Sequence, residues 1–262
     1  MTQGPAGKGG RFRFAVLALL FVNVAVNYLD RANLSVAAPD MARDLRLGPR
    51  QMGWIFSSFG WAYTLLQIPG GWMVDRVSSR ILYSVCLAFW SAATFLQGFA
   101  RGAAGLFGFR LGTGAFEAPA YPINNKVVTA WFAPGERATA IAVYTAAQYA
   151  SLAFLHPVMQ AVQGRFGWRA LFMATGALGA VWACVWHLSY REKSLPGGSG
   201  PGAASVGAQS AAWRSPALWG IYIGQFSVSS ILWFFLTWFP TYLEQYRGFP
   251  SEGAGWIRAA PF

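Results

Sequence analysis

Apolar runs long enough to cross a bilayer recur along this chain, each bordered by charged or turn-forming residues. A helix needs roughly 20 mostly apolar residues to span the ~30 Å hydrocarbon core. The pattern predicts seven spans, at 14–38, 52–74, 81–99, 106–131, 138–162, 168–190 and 217–243. They are too long for the strands of a membrane barrel and lack the strict alternation such strands show, so an all-α membrane protein is expected. The first run follows Lys8, Arg11 and Arg13 as a cleaved signal would. It contains Asp30 and Arg31, however, and six more spans come after it, so it is read as a retained helix.

Between 191 and 213 the chain is rich in Gly, Ser, Ala and Pro, the composition of a flexible linker. Four parts result: a tail at 1–13, a six-helix unit at 14–190, the linker at 191–213, and a seventh span at 214–262. The last residues, 254–262, resemble the opening turns of an eighth span, and the chain is expected to be interrupted there.

Composition agrees with this division. Hydrophobic residues make up 55% and charged residues 11%, against about 25% charged in soluble domains; with 17% aromatics, disorder is excluded as well. A net charge of +11 invites a nucleic-acid partner. The 20 Lys and Arg are scattered between long uncharged stretches rather than gathered on one face, so no nucleic acid is expected and the lipid bilayer is. With the N-terminus inside, ten Lys and Arg fall on the cytoplasmic side and seven outside, a lean that suits the positive-inside rule.

Polar residues inside the spans carry the chemistry, because an ionisable group at mid-membrane normally faces a bundle interior or cavity. In the first span Asn23, Asn27 and Asp30 or Arg31 recur at spacings of three and four, one side of a helix, and Tyr28 joins Arg31 by the same rule. Asp30 and Arg31 either neutralise each other as a structural pair, or Arg31 binds an anion through its two-pronged guanidinium. The fourth span holds a longer stripe: Arg110, Gly114, Glu117, Tyr121 and Asn124. Glu117 has no basic residue within a turn on its own helix, so it suits a group that takes up a proton and gives it back when water or a cation arrives; a permanently protonated glutamic acid bonding a neighbouring helix is the alternative. Pro119 and Pro122 should bend this span. Tyr63 and Gln67 in the second span, and Tyr144, Gln148 and Ser151 in the fifth, add neutral polar groups.

Cys86 and Cys184 lie far apart in apolar runs, so neither a disulfide nor a metal site is expected; His156 is read as structural. There is no G-x-S-x-G, H-E-x-x-H or G-x-x-x-x-G-K-[ST]. No catalytic residue, cofactor or enzymatic activity is expected.

The stretch G-W-M-V-D-R-V-S-S-R at 71–80 resembles the loop between the second and third helices of the major facilitator superfamily. That resemblance implies a cytoplasmic gate loop in which Gly71, Asp75, Arg76 and Arg80 help latch the inner side, with Ser78 in place of the usual glycine. Four further stretches resemble the anion:cation symporter family within it: N-Y-L-D-R-A-N-L-S-V-A at 27–37, W-A-Y-T-L-L-Q-I-P-G-G-W at 61–72, G-A-F-E-A-P-A-Y-P-I-N-N at 114–125 and W-F-A-P-G-E-R-A-T-A at 131–140. W-F-F-L-T-W-F-P-T-Y-L at 233–243 extends the likeness through the seventh span.

The family implies two six-helix halves around a central site, of which this chain has the N-terminal half, a seventh helix and the start of an eighth. It further implies a multi-pass carrier of a bacterial inner membrane that takes up a small organic anion, a sugar acid such as galactonate, together with a proton. Asp30 and Glu117 would couple the proton, Arg31 would be the partner of Asp30, and Tyr28, Arg31, Tyr63 and Gln148 would line the anion site. Without its remaining C-terminal helices the fragment is expected to be inactive. Two other readings stay open: a non-transporting membrane fragment, and an uncoupled facilitator or exporter.

Overall fold

Backbone N–H and C=O groups in a bilayer find no water and must pair within their own segment, and the apolar runs accordingly fold as helices. This computed structural model describes residues 9–193, 215–239, 242–243 and 247–248, and no strand occurs among them. The helices are α1 (Gly9–Asp44), α2 (Pro49–Arg76), α3 (Ser79–Gln97), α4 (Ala103–Glu117), α5 (Ala120–Trp131), α6 (Arg137–Ser189) and α7 (Pro216–Thr237), with a short 3-10 turn at Pro134–Glu136. Among the described residues, four stretches are long and apolar enough to cross a membrane: Phe12–Asp44, Ser79–Gln97, Pro134–Ser189 and Pro216–Phe235.

Three borders differ from expectation. The span expected at 106–131 is two helices, α4 and α5, parted at Ala118 and Pro119; proline cannot donate the helical hydrogen bond there. Conversely, the spans expected at 138–162 and 168–190 run on as α6, broken only at Gly167. Its φ of +82° lies in the left-handed region that glycine enters without strain. α1 continues past residue 38 to Asp44 because side chains of α6 hold its last turns: Gln163 Nε2 donates to Asp40 at 2.7 Å, and Trp168 Nε1 and Arg169 Nη1 donate to Asp44 at 3.1 and 2.5 Å. Most of the expected linker, from residue 194 onward, and the 254–262 stretch lie outside the described residues.

Six rods thus form the main bundle: α1, α2, α3, α4 with α5, and the two limbs of α6. α1 packs chiefly on α6, α3 on α6 and α4, and α2 on α4. Small residues let these helices meet backbone to backbone. A Cβ on Gly176 would stand 2.5 Å from the Phe95 backbone nitrogen, and one on Gly114 would overlap the Phe59 carbonyl. Leu20, Leu34, Ile55, Leu87, Trp90 and Trp186 are fully buried between the rods. α7 meets the bundle through Trp233 on Phe59 (6.0 Å between ring centroids) and Trp238 on Phe56 (5.7 Å); Ile221, Ile223, Phe226 and Val228 stay exposed.

Candidate functional site

The charged residues of the spans converge where α1, α2 and the α4–α5 break meet. Arg31 projects from α1 toward α4, and its Nε donates to Glu117 Oε1 at 2.5 Å. Both side chains are buried, Arg31 at 6% and Glu117 at 0% exposure. Aromatic faces surround the guanidinium: its central carbon lies 4.9 Å from the Tyr28 ring, 5.1 Å from Phe59 and 4.7 Å from Tyr63. Rings at this range attract a cation through their quadrupoles. Phe59 and Tyr63, one helical turn apart on α2, stack at 5.5 Å. Arg31 Nη2 is buried with no hydrogen-bond partner among the described residues, a donor left over beside an already neutralised charge.

The pairing differs from the expected one: Arg31 meets Glu117 and not Asp30. Neighbours in sequence on a helix point about 100° apart, so Asp30 and Arg31 turn to different surroundings. Asp30 is fully buried, and neither of its side-chain oxygens has a hydrogen-bond partner among the described residues. The groups near it are the Arg110 guanidinium, Glu117 and the Trp90 indole. Arg110, from α4, donates to the backbone carbonyls of Asp30 at 2.9 Å and Arg31 at 3.3 Å and lies 4.9 Å from the Phe59 ring. It therefore fixes the α1 backbone at the two charged positions. The stripe from Arg110 to Asn124 contained this residue without giving it a task. Phe59, an ordinary apolar residue in the sequence, offered no signal at all.

Gln148 stands beside this cluster on α6, where its Oε1 accepts from the Tyr121 hydroxyl at 3.3 Å. Tyr121 in turn neighbours Tyr28. Tyr28, Tyr63 and Glu117 thus contact Arg31 directly, and Gln148 joins them through Tyr121. A separate crevice of about 170 Å³ between α1 and the two limbs of α6, lined by Val22, Val26, Leu155 and Trp182 among others, is almost wholly apolar.

At one end of the bundle lies the loop that joins α2 to α3. Asp75 and Arg76 are exposed, Gly71 is half-buried, and Arg76 turns back over Trp72 of its own helix at 3.9 Å. Arg80 Nε donates to the His187 carbonyl at 2.7 Å, which ties the loop to the end of α6. Glu192 accepts from the Arg80 backbone N–H and from Ser78 Oγ, each at 2.9 Å. Ser78 has φ −56° and ψ 132°, values open to any residue, so the turn does not require glycine here. Lys126 closes the α2 terminus by donating to the carbonyls of Val74 and Val77 at 2.5 and 3.0 Å.

The family model described as Major Facilitator Superfamily matches residues 20–262. A D-galactonate transporter of Escherichia coli O6:H1 is 41% identical over 280 residues, covering 98% of this chain and 65% of that protein. A hexuronate transporter of Bacillus subtilis is 32% identical over 260 residues, covering 95% of this chain and 61% of that protein. The chain therefore spans a little under two thirds of the length of these relatives. Among solved structures, a bacterial homolog to the human lysosomal transporter Spinster, inward-facing and unoccupied, superposes with a TM-score of 0.77 at 24% identity, over 98% of this chain and 60% of that one. That likeness carries the fold: an all-α bundle with the six rods of the N-terminal half and a seventh helix after them.

Proposed function

The chain belongs to the Major Facilitator Superfamily, and from that premise we propose that it forms the anion-binding half of a proton-coupled sugar-acid carrier. The relatives are named for galactonate and hexuronate, molecules that present one carboxylate beside several hydroxyls. The observation that carries the reading is the buried Arg31–Glu117 pair, with its spare guanidinium donor among three aromatic rings. A guanidinium can take the substrate carboxylate through two parallel hydrogen bonds. Tyr28, Tyr63 and Gln148 lie where they can meet its hydroxyls.

Coupling follows from competition for one cation. While Glu117 is ionised it holds Arg31; once it takes a proton, charge no longer binds the two and Arg31 turns to the anion. Proton and anion thereby favour the same state, which is the thermodynamic content of symport. Asp30, beside Arg110, is the second coupling carboxylate of this reading. Residues 14–190 form one six-helix half, 191–213 the linker, and 214–262 begin the half that supplies the opposite wall. Rocking of the halves about the fixed site exposes it alternately. Gly71, Asp75, Arg76 and Arg80 latch the cytoplasmic side of a bacterial inner membrane, the side that also holds the N-terminus.

The test is accumulation of labelled galactonate, driven by an inward proton gradient, in membrane vesicles from cells making a full-length relative that carries the substitution at the matching glutamate. Glu117→Gln should abolish accumulation above equilibrium. Normal proton-driven accumulation in that variant would leave carriage by Arg31 without coupling at Glu117 and overturn the symport reading.

A further inference from the structure

We propose that the end of the bundle where α1 starts and α6 finishes holds the headgroup of an acidic phospholipid, its phosphate taken by Arg191 and Lys193 beside the rings of Phe12 and Trp131. The proposal stands on the membrane spans and on side chains remote from Arg31 and Glu117, so it holds whichever anion is carried and whatever drives it.

Phe12 of α1 and Trp131 of α5 pack ring against ring, 5.2 Å between centroids. Two cations from the residues just past α6 rest on them: the central carbon of Arg191 lies 5.9 Å from the Phe12 ring, and the Lys193 ammonium nitrogen 5.0 Å from the Trp131 ring. Both side chains are exposed. A ring face attracts a cation but carries no net charge, so it positions these groups without neutralising them and leaves donors for an anion.

The other charges at this end already have partners. Both oxygens of Glu136 accept from Arg13 Nη1, at 3.0 and 2.8 Å. Glu192, between the two cations in sequence, accepts instead from the Ser78 hydroxyl and the Arg80 backbone N–H. Arg137 closes the end of α5 by donating to the carbonyls of Phe132 and Thr129 at 3.2 and 3.1 Å. Among the described residues no carboxylate, the exposed Asp75 included, pairs with Arg191 or Lys193. The stretches adjoining this end in sequence, 1–11 and 194–214, contain no aspartate or glutamate. At the opposite end the pattern differs, for Arg43 and Arg169 pair with Asp40 and Asp44.

Depth in the membrane selects the partner. Phe12 opens the apolar stretch Phe12–Asp44 and Ser189 closes Pro134–Ser189, so the rings mark the border of the hydrocarbon and the cations stand in the headgroup layer. Aromatic side chains favour that border, and basic pockets between membrane helices there hold acidic headgroups. Phe14, two residues further into the span, is exposed and offers apolar surface to the acyl chains. A phosphate joined to acyl chains therefore meets both halves of this surface, which a free phosphate does not.

Native mass spectrometry of the protein in a nonionic detergent, titrated with phosphatidylglycerol or phosphatidylcholine of the same chains, reads the binding directly. Phosphatidylglycerol should bind about tenfold more tightly; equal affinity overturns the proposal. Arg191→Gln with Lys193→Gln should weaken phosphatidylglycerol by about 25-fold, roughly fivefold for each basic group, and leave phosphatidylcholine as it was. Unchanged phosphatidylglycerol affinity in that double variant overturns the site. Arg50→Gln with Arg165→Gln removes the same charge from exposed positions at the opposite end and should alter affinity by less than about twofold. An equal loss there would reduce the effect to net charge and overturn the site as well. Arg191→Lys with Lys193→Arg keeps both charges and should stay within about threefold of wild type; a loss as large as that of the glutamine pair would deny that charge is what binds. Inorganic phosphate in excess should leave the lipid adduct in place, and displacement would give the cations to free phosphate and overturn the lipid assignment.

Discussion

Along the seam between α3 and the second limb of α6 the helices approach closely: a Cβ on Gly176 would run into the Phe95 backbone, and one on Gly179 into the Ser91 hydroxyl. Two direct bonds join its border with α1, Asn33 to Thr175 at 3.0 Å and Trp182 to Asn23 at 2.5 Å, while the Ser91 and Thr94 hydroxyls are buried without a partner among the described residues. Between α1, α2 and α4 the buried polar groups are charged. There Arg31, Glu117 and Asp30 are just as buried, yet Asp30 has no hydrogen-bonding partner for either oxygen, and Arg31 and Glu117 each keep one unpartnered atom among the described residues. The seam buries neutral polar groups between closely packed helices; the other region buries an ion pair and a second carboxyl. A scaffold needs the first arrangement, and a site that must exchange one charge partner for another needs the second.

The largest effect should come from removing one member of the buried ion pair. Glu117→Ala leaves a buried guanidinium without its counter-ion, a loss of about 3–5 kcal/mol, measured by denaturant unfolding of the protein in detergent micelles. Adding Arg31→Met to Glu117→Ala should recover most of that stability; if it does not, the two side chains are not acting as a pair.

Next comes the seam. Gly176→Val forces methyl groups into the Phe95 backbone and should cost about 1–3 kcal/mol or more by overpacking, additive with Arg31→Met because the two regions share no partner. A harmless Gly176→Val would erase the contrast. Asn33→Ala removes one buried hydrogen bond from the scaffold side, an effect of about 1 kcal/mol in the same unfolding titration.

The smallest effect belongs to the exposed end of α1, where Arg169 and the Trp168 indole hold the Asp44 carboxyl below its ordinary value. A depressed carboxyl stabilises the fold above its unfolded value, and that contribution disappears as pH falls through the folded one. Asp44→Asn should therefore narrow the stability difference between neutral and acid solution slightly. A comparison of unfolding midpoints at the two pH values reads this directly.

Much of the arrangement was legible one helix at a time. The three-four spacing placed Glu117 on a stripe with Arg110 and Asn124, and Tyr28 on the same side as Arg31, because 3.6 residues per turn is a local property. Pro119 announced the break between α4 and α5 for an equally local reason. Gly167 did not announce that two spans would run on as one helix, since a lone glycine reads alike in a loop and in a kink. The partner of Arg31 was misjudged because nearness in sequence favoured Asp30. Phe59 was missed because an apolar residue on an apolar helix carries no mark of the cation that rests on it.

By itself the sequence determined the helices, their apolar length, their polar stripes and the family they resemble, since each follows from periodicity and composition within a single segment. Tertiary structure alone decided which guanidinium meets which carboxylate, and that Arg110 fastens the backbone of α1. These are relations between helices that lie far apart along the chain. They are set by how backbones approach at Gly114 and Gly176, a three-dimensional fit that no single segment encodes.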